Sequence, residues 1–382
     1  MTPWFDSFRA QMPVSRRWAY FDHAAVAPLP EPARLAITHW LHEATEEGDV
    51  GWPRWAKRVE EVRHTAARMI GADTAEIALL PNTTAGINLV AEGFPWQPGD
   101  NVVTLANEFP SNIYPWMNLA ARGVETRLIP VDAGRVDLDR LAASLDGRTR
   151  IVSVSWVGYA SGWRINPGDV AELAHRHGAL FFLDAIQGLG VFPLDVRQAG
   201  VDFLAADGHK WLLGPEGAGI FFVGREHLAR LRPLGVGWHS VAQGTDFSRV
   251  ELNLRADAAR YEGGSQNMAG MIGLGASLDL LASSGHSSQS SPIAQRALEI
   301  ADYAVQRLQA VGCQLFSPHA GDNRSSIVTW DMPGQSPAKI REALLAAGVV
   351  TSCRGGGVRI SPHTYNTPAE IDLLVDVLKS RQ

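Results

Sequence analysis

Seven short apolar runs dominate the middle of the chain and limit what it can fold into: "EIALL", "NVVTLA", "ETRLIP", "IVSVSWV", "ALFFLD", "VDFLAA" and "AGIFFV". Most are apolar almost throughout, as strands covered on both faces must be. Helical patterns such as "DVAELAHRHG" lie between several of them. Ahead of the first, "PRWAKRVEEVRHTAARMIG" sets Trp55, Val59, Val62, Ala66 and Met69 on one helical face and stops at Gly71. This alternation, from about residue 53 to 225, predicts an α/β fold with a mostly parallel sheet between helices.

After residue 265 the pattern changes. A helix "MAGMIGLGASLDLLAS" leads into the polar loop "SGHSSQSSP" (284–292), whose Ser and Gly content reads as a flexible connection. Helices "IAQRALEIADYAVQRLQAVG", "PAKIREALLAAG" and "PAEIDLLVDVLKS" then alternate with strands "SSIVTWDM", "VVTSC" and "GVRIS". The expected organisation is a large domain over 15–265 and a small C-terminal α+β domain over 266–382, with residues 1–14 packing on the small one. A chain of 382 residues, 46% hydrophobic, is long enough for both.

Composition excludes several classes. A net charge of −6 gives no footprint for nucleic acid or an anionic membrane. No run has the apolar length of a bilayer span, and "MTPWFDSFRAQMPVSRRW" has no continuous apolar core for a signal peptide. Two cysteines, Cys313 and Cys353, indicate no disulfide framework. A cytoplasmic protein is expected, with neither nucleic acid nor membrane as a partner.

Open α/β sheets bind ligands beyond the carboxyl ends of their strands. Here those ends carry "PNTTAGINL", "NEFPSNIYPW", "DAIQG" and "DGHKW". Together they offer hydroxyls, an aromatic ring, a carboxylate with an amide, and a lysine, which is the set pyridoxal phosphate requires. Lys210 would carry the cofactor as a Schiff base, a task that calls for a desolvated amine. Asp184 would pair with the pyridinium N–H and keep the ring an electron sink. Gln187 would reach the ring hydroxyl, and Phe109 would stack on the ring. Thr83 and Thr84, at a helix start, would bind the phosphate. Singly, each has a plainer reading: a snorkelling lysine, a helix cap at Asp184 or at the threonines, a core phenylalanine.

The order of these segments resembles the class V aminotransferase family of fold-type I pyridoxal phosphate enzymes, which includes cysteine desulfurases, selenocysteine lyases and isopenicillin-epimerase-like proteins. The resemblance runs from "YFDHAAVAPLP" (20–30) through the strand-end segments to "RYEGGSQNM" (260–268) and "VRISPHTYNT" (358–367). It implies that Lys210 is the catalytic lysine and that Thr84 and His209 help hold the phosphate. It also implies that Ser265 reaches the phosphate of a neighbouring subunit, and hence a homodimer with shared sites. Arg359 matches the arginine for the substrate carboxylate; His23 and Arg354 join it on the substrate side. The reaction begins with proton removal at Cα of an amino acid. Transamination, C–S or C–C lysis and epimerisation all stay open, with the first two preferred.

Three departures matter. Phe109 stands where desulfurases carry a histidine, and it can stack but not transfer a proton. Cys353 lies six residues before Arg359 at the end of an apolar run, not on a long loop well upstream, and reads as structural. Tyr159 replaces an asparagine near the ring hydroxyl, where a phenol can still donate. Asp207 occupies the place of a small hydroxyl residue; its charge would repel a phosphate, so it is expected to face a histidine. Arg354, beside a glycine run, suits a second anionic group or is a solvated loop residue. No metal set is expected: His39 and His42 lack the HExxH order, and "HRH" (175–177) ends a helix. A non-catalytic cofactor-binding protein is the remaining alternative of a different class; it predicts loss of Lys210 or Arg359, and both are present.

Overall fold

The computed structural model describes residues 3–132, 134–319 and 321–381. All seven apolar runs form strands of one sheet: β1 (Ile77–Leu80), β2 (Asn101–Leu105), β3 (Glu125–Ile129), β4 (Thr149–Ser155), β5 (Leu180–Asp184), β6 (Phe203–Asp207) and β7 (Gly219–Val223). Their order is β1-β7-β6-β5-β4-β2-β3. All run parallel except β7, which is antiparallel to β6 and β1 on either side of it. Side chains of β1, β2, β5, β6 and β7 are buried almost throughout, which is why their sequences do not alternate.

Because six strands are parallel, their carboxyl ends lie along one edge. Helix Thr83–Gly93 starts directly after β1 and is capped by Asn82, whose side chain accepts from Ala85 N–H. Gly86 lets this helix lie close on the sheet; a Cβ there would sit 2.7 Å from that of Ala205 in β6. The expected helix face from Trp55 to Met69 is buried in helix Trp52–Met69.

The smaller, antiparallel sheet runs in the order Ser352–Arg354, Gly357–Ile360, Val328–Asp331, Gln314–Leu315. It shares a core with helices Pro292–Ala310, Pro337–Ala346 and Pro368–Lys379. The helix that follows the expected division at 265/266 packs with the large core. Helix Met268–Ser283 packs on helices Glu31–Glu46 and Trp52–Met69, and its Met271, Leu274, Leu278 and Leu281 belong to the large core. The change of core falls inside helix Pro292–Ala310, between Ala297 and Ile300. Helix Glu31–Glu46 itself was not read from the sequence.

Two further expectations need adjustment. The loop 284–292 is held, not loose: Gln289 Nε2 donates to Asp195 at 3.0 Å, and buried His286 contacts Ser291 Oγ at 2.9 Å. The N-terminal helix Pro3–Ala10 does meet the small domain, through Arg9–Glu370 and a Phe8–His363 stack, but Phe8 and Met12 sit in the large core. Residues 19–22 stitch the two domains together. Ala19–Tyr20 pairs with Val349–Val350, and Asp22 bridges to Ser361. Among the described residues no helix is long and apolar enough to cross a membrane.

Candidate active site

Lys210 follows β6 inside a closed turn. Gly214 N–H donates to Gly208 O at 2.8 Å and Leu213 N–H to Lys210 O at 3.0 Å. Leu213 has φ +57°, a left-handed conformation that costs a residue with a Cβ about 1 kcal/mol. Ser277 Oγ on helix Met268–Ser283 donates to Leu213 O and holds it there.

Burial pushes the Lys210 amine down to about 8; Asp184 and Asp207 pull it up, while Arg359 and Arg354 push it further down. Its Nζ lies 5.6 Å from the centroid of the half-exposed Phe109 ring. Tyr159 packs edge-on against that ring, 5.3 Å between centroids at 80°. Asp184, at the end of β5, accepts from Ile186 N–H at 3.1 Å in a turn; no helix starts there, so it is not a helix cap. Burial raises it to about 6, against the Ile186 hydrogen bond and the charge of Lys210.

Gln187 is oriented on both sides. Its Oε1 accepts from Trp211 Nε1 at 2.8 Å and its Nε2 donates to Ala24 O at 3.0 Å, leaving one N–H for a ligand. Thr83 Oγ1 accepts from Asp207 N–H at 2.9 Å and ties the helix start to the lysine turn. Thr84 Oγ1 lies 2.9 Å from Ser111 Oγ. Asp207 faces His209, 3.1 Å from its Nδ1, as its charge required.

Arg359 is almost fully buried. Nη1 donates to Tyr159 O at 2.7 Å and Nη2 to Asp22 Oδ1 at 3.1 Å, while Nε is buried without a partner. Ser352 Oγ donates to the same Asp22 oxygen at 2.8 Å. Arg354, on the same small sheet, is exposed and donates to Cys353 O.

His23 lies elsewhere, and Ser265, expected at a neighbouring subunit's phosphate, stands apart from this protomer's Lys210. His23 is fully buried, its Nδ1 2.9 Å from Ser361 O and its Nε2 2.8 Å from Tyr365 Oη. Burial pushes it down to about 4, so it is a neutral part of the wall behind Trp211 and presents no nitrogen to a substrate. Ser265 is exposed on the turn after Glu262, on a separate cavity of about 550 Å³ with Leu80, Asn88 and Leu234. Glu262 anchors that turn by pairing with buried Arg63. In "HRH", His175 contacts Asp202 at 2.8 Å and His177 its own helix's Leu173 O.

Sequence reasoning left four neighbours unassigned. Asp22, Glu108 and Ser111 lay inside quoted segments, and Trp211 follows the lysine directly. Glu108 is buried behind Asp184; its carboxylate accepts from both N–H and Oγ–H of Ser155, the ladder partner of Asp184. Burial, with the charge of Asp184, raises Glu108 to about 7.

The set fits pyridoxal phosphate. A buried amine, an aromatic face beside it, a buried carboxylate without a side-chain cation bound to it, a free amide N–H and a helix N-terminus with hydroxyls converge on one strand edge.

Comparison with known proteins agrees. The family described as "Aminotransferase class-V" matches residues 19–374. A "Probable cysteine desulfurase" of Methanothermobacter thermautotrophicus is 31% identical, covering 98% of this chain and 97% of its own. A "Cysteine desulfurase" of Escherichia coli strain SE11 is 30% identical over 99% and 98%. Among solved structures, a cysteine desulfurase from Thermococcus onnurineus NA1 superposes with a TM-score of 0.88 at 25% identity, covering 98% of this chain and 97% of that one. The E. coli cysteine desulfurase CsdA gives 0.86 at 26%, covering 98% of each.

Proposed function

The chain belongs to the class-V aminotransferase family, and on that premise we propose that it cleaves the Cβ–S bond of a small α-amino acid by elimination, without passing sulfur through a cysteine of its own. It is a pyridoxal phosphate enzyme of fold type I. When bound, the cofactor supplies an electron sink for charge developing at the substrate Cα.

The residues divide the work. Lys210, Phe109, Asp184, Gln187, Thr83, Thr84 and His209 hold the cofactor, with Tyr159 packed behind Phe109. Arg359, with its unpartnered Nε, takes the substrate carboxylate. Lys210 Nζ, poised near neutrality, accepts the Cα proton. The Cβ–S bond then breaks, its electron pair leaving with the sulfur as a thiolate. Water converts the remaining three-carbon enamine to pyruvate and ammonia.

One observation carries the choice of elimination: neither cysteine faces the site. Cys353 is paired with Val358, and strand alternation puts both on the face opposite Arg359. Val358 is in the small-domain core. Cys313 is in that core too, and burial raises its thiol to about 11. The names of the relatives favour a second reading, a cysteine desulfurase that hands sulfur to an enzyme thiol and releases alanine. Product analysis separates the two. Pyruvate and ammonia in equal amounts support elimination, alanine supports the desulfurase, and a keto acid capped at one per site supports transamination.

The turn carrying Ser265 completes the site of a second copy in a homodimer. Its exposure, and exposed Leu234, Val236, Val250 and Leu252 nearby, support this. Two free cysteines support a reducing, cytoplasmic setting.

A further inference from the structure

Arg354 and Arg359 sit on one hairpin of the small sheet. Arg359 is opposite Ser352, and Arg354 is opposite Gly357. Cross-strand partners share a face, and residues two apart on one strand share it as well. Both arginines therefore emerge on the face that Cys353 does not, in diagonal positions about 7 Å apart at Cβ. The turn between them is Gly355–Gly356, at φ +57° and +83°, a backbone that residues with a Cβ rarely adopt. A Cβ on Gly355 would lie 3.3 Å from that of Ala160, so the tip is docked beside Tyr159.

The two arginines differ in their charge balance. Arg359 already has Asp22. Among the described residues Arg354 has no carboxylate in ion-pair distance; it donates only to Cys353 O, and its remaining N–H groups are free. Its charge is nonetheless felt in the site, where it acts on both Lys210 and Arg359.

We infer that Arg354 is a specificity residue, and that the amino acid taken by this site carries a second acidic group, bound by Arg354 while Arg359 binds the first. This rests on the proposed action on an α-amino acid. A plainer role exists: Ser352–Arg354 is an edge strand, and a charge there discourages edge-to-edge pairing. The two roles predict different binding.

The test uses holoenzyme with L-alanine and L-aspartate as probes, following the cofactor absorption band at low salt. Aspartate is expected to bind about tenfold tighter than alanine, as one added charge-assisted hydrogen-bond pair gives. Arg354→Ala should bring the two affinities within about twofold, and Arg354→Lys should restore part of the gap. Equal affinities in the wild type, or a preference that survives Arg354→Ala, overturn the inference and leave the proposed function standing. If neither amino acid moves the band, the proposed function fails and the inference with it.

Discussion

The amine of Lys210 lies 5.6 Å from the centre of the Phe109 ring, and no other aromatic ring comes within cation–π reach of that amine among the described residues. On the proposed assignment, a flat cofactor ring carried at Lys210 would stack on Phe109. Phe109→Ala should weaken pyridoxal phosphate binding roughly tenfold, from about 1–1.5 kcal/mol of lost stacking. Phe109→Tyr should keep wild-type affinity. Titration of the apoprotein with cofactor, read by absorbance, checks both.

Capture of the cofactor should depend on pH through the same amine. Only neutral Lys210 attacks the aldehyde, and its folded value is about 8, against 10.5 for an ordinary lysine. Borohydride-trapped cofactor should therefore rise with pH with a midpoint near 8 and level off about a unit above it. Asp184 holds the amine up, so Asp184→Asn should move the midpoint lower. A wild-type midpoint near 10.5 would mean that the amine is solvated.

Glu108 makes a prediction about stability. Its folded value, about 7, lies above the ordinary 4.5. The folded protein therefore binds more protons than the unfolded one between those values, and this contribution is full below pH 4.5 and lost as pH rises through 7. Glu108→Gln removes the dependence while keeping an acceptor for Ser155 N–H. Relative to wild type, apoprotein carrying the change should gain up to about 3 kcal/mol between pH 4.5 and 8, in denaturant unfolding. An equal difference at both pH values would place Glu108 in solvent.

Most of the fold was legible because its signal is local. Most strands of the large sheet announce themselves as apolar runs, and the residues after the six parallel ones fall on one edge because parallel strands leave no choice. Helix Glu31–Glu46 was not legible, since only Ala33 of it is buried and its apolar residues are scattered. Where the first helix beyond residue 265 packs was not legible for a related reason. Helix Met268–Ser283 is apolar on nearly every side, and nothing local says which core it joins. His23 shows the limit for single residues: a histidine in a motif near the site looks the same whether its nitrogens face a ligand or, as here, Ser361 and Tyr365, more than 300 positions away. Asp22 escaped for the same reason, because its partner Arg359 is far along the chain. The hairpin at Arg354 was visible as a glycine run, but the face on which each side chain emerges needed the register.

Removing both thiols tests the account most directly. The double variant Cys313→Ala, Cys353→Ala, loaded with pyridoxal phosphate, is given S-substituted cysteines, and sulfur product, pyruvate, ammonia and alanine are counted. The account predicts that cleavage survives within about threefold of wild type, with pyruvate and ammonia matching the sulfur product and no alanine. Abolished cleavage in a folded, cofactor-loaded variant, or alanine as the carbon product of the wild type, would contradict it.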